Sequence, residues 1–102
     1  MSWRVLESLV AYFFSGRLRP GSGSFRPFKG DVITDDYLIE CKSTEKQQFV
    51  LKKEILLKIE KEAISEGRVP LLVVRFEDKR NSSGGIYVIS KLDDFLEMNS
   101  GE

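Results

Sequence analysis

The stretch of sequence that decides the fold is GDVITDDYLIECK, residues 30–42. Within it, two short runs rich in β-branched and aromatic residues flank the acidic pair Asp35 and Asp36. Two acidic turn formers between two such runs predict a tight antiparallel hairpin. Because strand side chains alternate between two faces, Glu40 and Lys42 are expected to share one face of the second hairpin strand.

The rest of the chain predicts further helices and strands on both sides of this hairpin. The expected elements, in chain order, are a helix over residues 2–15, hairpin strands over 31–34 and 37–42, a helix over 51–66, strands over 71–74 and 86–89, and a helix over 91–98. This order predicts an α/β fold in which residues 1–102 form a single domain, with a small mixed β-sheet flanked by helices.

The composition excludes several classes of chemistry. The 102 residues contain no His and one Cys, which excludes His-dependent nucleophilic pairs, His-ligated zinc, Cys-rich zinc sites and an internal disulfide. The lack of a disulfide predicts a reducing, cytoplasmic setting. The longest uncharged apolar stretch, residues 8–16, is far shorter than the roughly 20 residues of a membrane helix, so neither a membrane span nor a secretory signal is expected.

Charge is unevenly distributed along the chain, although its 16 basic and 16 acidic residues cancel. Residues 1–53 hold nine cations and six acids, whereas residues 54–102 hold seven cations and ten acids. Residues 15–30 hold four cations, no acid and four of the eight glycines. This basic, glycine-rich segment is expected to be a loop with accessible backbone N–H groups.

The hairpin also carries the residues that predict chemistry. A tight turn would allow Asp31 to lie beside Glu40, since opposed hairpin side chains approach within roughly 5 Å. Two carboxylates on one patch suit Mg²⁺, and Lys42 on the same face could orient a water molecule or stabilise charge on a phosphate. The arrangement predicts metal-assisted phosphodiester hydrolysis. The alternative is a solvated strand face, but the apolar neighbours of Glu40 favour a partly buried strand on which charges need compensation.

These residues resemble a known family. GDV at residues 30–32 and IECKST at residues 39–44 look like the PD-(D/E)xK nuclease motif, with Gly30 in the place of its proline. Together with RPGSGS at residues 19–24, they make the chain similar to the small Holliday junction resolvases of archaea and some bacteriophages. The resemblance covers residues 1–76 and implies a restriction-endonuclease-like core, a homodimer, and cleavage of four-way and other branched DNA with Mg²⁺, or Mn²⁺ as a substitute.

The resemblance also implies roles for single residues. Asp31 and Glu40 would be metal ligands, helped by the backbone carbonyl of Cys41, and Lys42 would be the catalytic lysine. Many family members place an acid on the first helix, and Glu7 is the candidate for that position; its alternative is an ordinary exposed helix glutamate. Contacts to the DNA backbone are expected from residues that supply positive charge or hydroxyl donors: Arg17, Arg19, Ser22, Ser24, Arg26, Lys29 and Lys46.

Other functions stay open at this stage. The same motif serves nucleases that cut flaps, plain duplexes, or restriction and repair substrates. A DNA-binding module that keeps the fold but does not cut is a further alternative, and for residues 15–30 so is a plain surface loop. The resemblance implies a prokaryotic or phage-infected host cell. A dimer interface is expected among exposed apolar side chains of the second helix or of the strands after Pro70.

Overall fold

The computed structural model describes residues 3–18, 32–79 and 83–100. These residues form α1 (Trp3–Phe13), β1 (Arg17–Leu18), β2 (Val32–Ile33), β3 (Tyr37–Thr44), α2 (Lys53–Ser65), β4 (Val69–Phe76), β5 (Gly85–Ile89) and α3 (Leu92–Ser100). The strands make one sheet in the order β1-β2-β3-β4-β5, in which β3 and β4 are parallel and the other neighbours are antiparallel. The predicted α/β fold with a mixed sheet is confirmed.

The predicted hairpin between β2 and β3 is present, and Thr34 closes its turn. The Thr34 hydroxyl oxygen accepts hydrogen bonds from the backbone N–H groups of Asp36 (3.1 Å) and Tyr37 (2.8 Å). The backbone N–H of Thr34 donates to the carbonyl of Tyr37 at 2.9 Å. A threonine hydroxyl that accepts from the next amides along the chain stabilises a tight turn. The acidic pair at the tip is exposed.

Two apolar clusters hold the helices against opposite faces of the sheet. The first joins α1 to the sheet and contains Leu6, Val10, Val32, Ile39, Cys41, Leu71 and Val73. The second joins α2 to the sheet and contains Ile33, Leu38, Ile59, Ala63, Leu72 and Val74. Alternate residues of β3 and β4 therefore face different helices, as in a strand buried on both sides. The predicted strand at residues 71–74 is confirmed, and these four residues are the buried part of β4.

The ends of the helices differ from the prediction in detail. Helix α2 begins at Lys53, so Leu51, which we expected on its apolar stripe, precedes the helix and is exposed. Gly67 follows α2 with a φ of +69°, a left-handed conformation that glycine adopts readily and that ends the helix. After α1 the left-handed conformation is taken by Ser15, with a φ of 56°, rather than by Gly16. Residue 2, the expected start of the first helix, and residues 19–30 of the predicted loop lie outside the described residues.

The helices also differ in how much of their surface is buried. Helix α2 buries Ile59 and Ala63 against the sheet, whereas no residue of α3 is buried. Among the described residues, no helix has both the length and the apolar character needed to cross a membrane.

Candidate functional site

The candidate site lies at the carboxyl end of β3. This strand pairs with β4 along its whole length, from Tyr37 to Thr44. In the described residues it pairs with β2 only at Leu38 and Ile39, so residues 40–44 continue past the last such pair. Ligand sites in sheets with parallel strands commonly form at carboxyl ends, where neighbouring elements separate. Among the described residues, none pairs with the β2 side of residues 40–44, where the predicted site residues lie.

Glu40 and Lys42 lie side by side at this end, as alternation predicted. The Glu40 Oε2 and Lys42 Nζ atoms are 3.4 Å apart, and the two side chains are 20% and 43% exposed. Both belong to the α2 side of β3, because they alternate with Ile39 and Cys41, which pack against α1. The strand is thus partly buried around its charges, as expected. A carboxylate that can bind a cation stands beside an ammonium group that can reach a phosphate.

Cys41 lies between these two residues but turns its side chain the other way. Its thiol is buried in the cluster beneath α1, at 6% exposure. The thiol therefore does not belong to the face formed by Glu40 and Lys42. A contact of Cys41 with a ligand on that face would come from its main chain, and the role of its backbone carbonyl stays a prediction.

Glu7 is buried on α1, next to Leu6 of the first apolar cluster. Its exposed fraction is 3%, so the alternative of an ordinary exposed helix glutamate is wrong. A carboxylate taken out of water costs several kcal/mol unless other groups compensate its charge, so a buried glutamate in a chain of this size points to a specific role. Glu7 lies on the α1 side of the sheet and Glu40 on the α2 side, so the two carboxylates lie on opposite sides of β3.

Asp31, the other expected metal ligand, lies outside the described residues. The hairpin pairs Val32 with Ile39 and Ile33 with Leu38. In an antiparallel ladder, moving one residue back along one strand means moving one residue forward along its partner. The expected pairing of position 31 with position 40 requires the same register as these two pairs. Within residues 3–18, 32–79 and 83–100, no three acidic or cysteine side chains form a group that could hold a metal ion. A carboxylate-rich site would need a further ligand.

Only two of the residues expected to contact DNA lie in the described part of the chain. Arg17 is exposed and stands opposite Ile33 where β1 pairs with β2. Lys46 is exposed two residues after β3, where its backbone N–H donates to the Thr44 hydroxyl oxygen at 3.0 Å. The remaining residues of that set, Arg19, Ser22, Ser24, Arg26 and Lys29, are not among the described residues.

The sequence analysis missed a second acidic residue at the same end of the sheet. Glu77 directly follows β4, and its Oε2 atom accepts a hydrogen bond from the Ser43 hydroxyl at 3.3 Å. It also lines a cavity of about 220 Å³ with Lys46, Gln47, Phe76, Ser83, Gly84 and Tyr87. An acid placed directly after the strand that contains the apolar run at residues 71–74 was the signal that could have identified it.

Comparisons with protein-family models, curated proteins and solved structures found no match. The function is therefore argued from the site alone. Its described part is a half-buried carboxylate and ammonium pair in the carboxyl-terminal half of β3, with a buried carboxylate on α1.

Proposed function

We propose that this chain is a Mg²⁺-dependent, structure-specific DNA endonuclease that cuts four-way junctions and related branched DNA as a homodimer. The observation that carries the proposal is the placement of Glu40 and Lys42, 3.4 Å apart, on one face of the carboxyl-terminal half of β3. Two further observations support it: the burial of Glu7, and the hairpin register that the pairing of Asp31 with Glu40 requires. The proposed setting is the cytoplasm of a prokaryotic or phage-infected cell.

The donor set has the chemistry that Mg²⁺ prefers. Asp31 and Glu40 offer hard carboxylate oxygens, and Glu7 is a third candidate that would approach around the edge of β3. Bound Mg²⁺ would supply positive charge to stabilise the negative charge that develops on the scissile phosphate. Mn²⁺ takes the same oxygen ligands and is the expected substitute.

Lys42 contributes a second positive charge beside the same phosphate. Its Nζ atom is held near Glu40 but the side chain keeps 43% of its surface exposed, so it can donate to a phosphate oxygen or to the attacking water without leaving the site. Pairing with Glu40 restricts its position before DNA arrives. Orientation of this kind lowers the barrier because less freedom is lost in the transition state.

The proposed DNA path runs from the basic loop at residues 15–30 to the end of β3. Arg17 and Lys46 are the exposed cations on this path that the structure describes. Lys and Arg that neutralise phosphates release counterions, so binding should weaken steeply as salt increases. Replacing either cation by Gln should weaken binding to junctions of any sequence, because phosphate contacts do not distinguish bases.

The proposal is tested by incubating labelled four-way junction, flap and plain duplex DNA with the protein and Mg²⁺. We expect paired, symmetric cuts in the junction and much slower cutting of the duplex. If flap or duplex DNA is cut faster than the junction, the chain is a nuclease with a different substrate from the one proposed. Junctions that stay intact at stoichiometric protein, together with no heat of Mg²⁺ or Mn²⁺ binding by calorimetry, would favour a DNA-binding module that does not cut.

A further inference from the structure

Strand β5 gives the sheet an unprotected apolar edge. It is the outermost strand on its side in the described part of the chain, and its sequence, GIYVI, contains no charge and no proline. Ile86, Tyr87 and Val88 are between 48% and 58% exposed. Monomeric proteins usually protect a sheet edge with charged residues, prolines or bulges, because its free N–H and C=O groups pair readily with another strand. The residues of β5 offer neither charge nor proline for that purpose.

Helix α3, which follows β5, exposes an apolar stripe. Leu92, Phe95 and Leu96 have the spacing of one helix face and are between 52% and 67% exposed. A nine-residue helix has little stability of its own in water and depends on packing of its apolar face. The ion pair between Lys91 Nζ and Glu60 Oε2, at 2.6 Å, ties only the start of the helix to α2.

We propose that β5 and α3 together form the surface through which two copies of this chain associate. This β5–α3 face comprises Ile86 and Val88 on one side of the sheet edge, Tyr87 on the other side, and Leu92, Phe95 and Leu96 of α3. In a two-fold dimer each copy offers the same patch to the other. Antiparallel pairing of β5 with the β5 of the second copy satisfies both free edges and joins the two sheets into one, and the two α3 stripes then cover each other.

The size of the face fits a stable dimer. Large side chains that are half exposed present on the order of 100 Å² each, so the six residues offer about 600 Å², to which the strand main chain adds. A standard interface buries about 800 Å² on each partner. The low end of this size class is about 600 Å² on each partner, which the β5–α3 face reaches.

The charges favour a second copy over a different partner. The six side chains of the β5–α3 face are apolar and complement an identical face, while the acidic Asp93, Asp94 and Glu97 of α3 flank the stripe. The net charge of the chain is zero, so two copies do not repel each other at long range. This proposal rests on the homodimer of the proposed function. Its test is carried out without DNA, so its failure can be distinguished from a failure to cleave DNA.

The test measures the mass of the full chain by sedimentation equilibrium in the absence of DNA. We expect twice the mass of one chain for the wild type at micromolar concentration. Val88→Lys places a charge on the strand edge, and Leu96→Glu places one on the helix stripe. Each should raise the dimer Kd by about a hundredfold or more, because each substitution occurs twice in a two-fold dimer. Tyr12→Glu is the matched control; Tyr12 is 78% exposed on α1, away from this face, and the dimer should persist.

Circular dichroism confirms that each variant is folded before its mass is compared. A wild type that stays monomeric up to about 100 µM would overturn the proposal, as would folded Val88→Lys and Leu96→Glu variants that both remain dimeric. If a variant unfolds, amide exchange in the wild type decides: slower exchange of the β5 amides at higher protein concentration supports the proposal, and exchange independent of concentration overturns it. A dimer that does not cut junctions would refute only the proposed function.

Discussion

Replacing Thr34 by Val tests whether the hydroxyl of this residue holds the hairpin that positions the site. Valine has nearly the shape of threonine, so it leaves no cavity but removes the acceptor for the backbone N–H groups of Asp36 and Tyr37. Each hydrogen bond contributes about 1 kcal/mol net, so the free energy of unfolding should fall by about 2 kcal/mol. In a domain of this length that loss lowers Tm by about 8–16 °C.

The measurement is urea unfolding followed by far-UV circular dichroism, at one protein concentration for all variants. Thr34→Ser is the control, because it keeps the hydroxyl and loses only a methyl group, at a cost of about 0.8 kcal/mol. The valine variant should therefore be less stable than the serine variant. If the serine variant is the less stable of the two, methyl packing rather than hydrogen bonding stabilises the turn, and our account of the hairpin is wrong.

Three further predictions concern the neighbourhood of the site and the attachment of α3. A Cβ atom on Gly16 would lie 2.7 Å from the carbonyl oxygen of Ile33, so Gly16→Ala should lower the free energy of unfolding by about 1–3 kcal/mol in the same urea assay; unchanged stability would contradict this. The hydrogen bond and charge of Glu60 raise the pKa of Lys91 above 10.5, so the stability that this pair adds is complete below that pH and is lost as the pH rises through the raised pKa. The stability difference between wild type and Lys91→Met should therefore stay constant up to about pH 10 and shrink above it, and a difference that stays constant at higher pH would refute the linkage. Glu7→Gln keeps the shape of a side chain that is 3% exposed but removes its charge. Junction cleavage should fall by about a hundredfold while the circular dichroism spectrum stays unchanged. Full cleavage activity would show that Glu7 has a structural role.

Local signals in the sequence predicted most of the elements, and non-local pairing explains what they missed. The hairpin follows from two turn formers between alternating strands, all within a dozen residues. Strand β1 exists only because Arg17 and Leu18 pair with Ile33 and Val32, which lie far along the chain. Helix α2 was expected to begin at Leu51, because the apolar spacing extends to residues that precede Lys53, where the helix begins.

In the candidate site, too, some features follow from local sequence signals and others depend on non-local packing. The common face of Glu40 and Lys42 was predictable, because alternation is a property of the strand alone. The burial of Glu7 was not, because its helical position borders the apolar rows and the packing of α1 on the sheet decides its exposure. Glu77 joins the same end of the sheet only because β3 and β4 run parallel, which the sequence does not specify.

The most direct test of the central claim compares junction cleavage by Glu40→Gln and Glu45→Gln. Both variants lose one carboxylate near the end of β3, but Glu45 is 70% exposed and pairs with Lys79 at 3.3 Å. With a labelled four-way junction and Mg²⁺, Glu40→Gln should cut at least about a hundredfold more slowly than the wild type while still binding the junction, and Glu45→Gln should cut at the wild-type rate. Equal cleavage by Glu40→Gln and the wild type would contradict the proposed site.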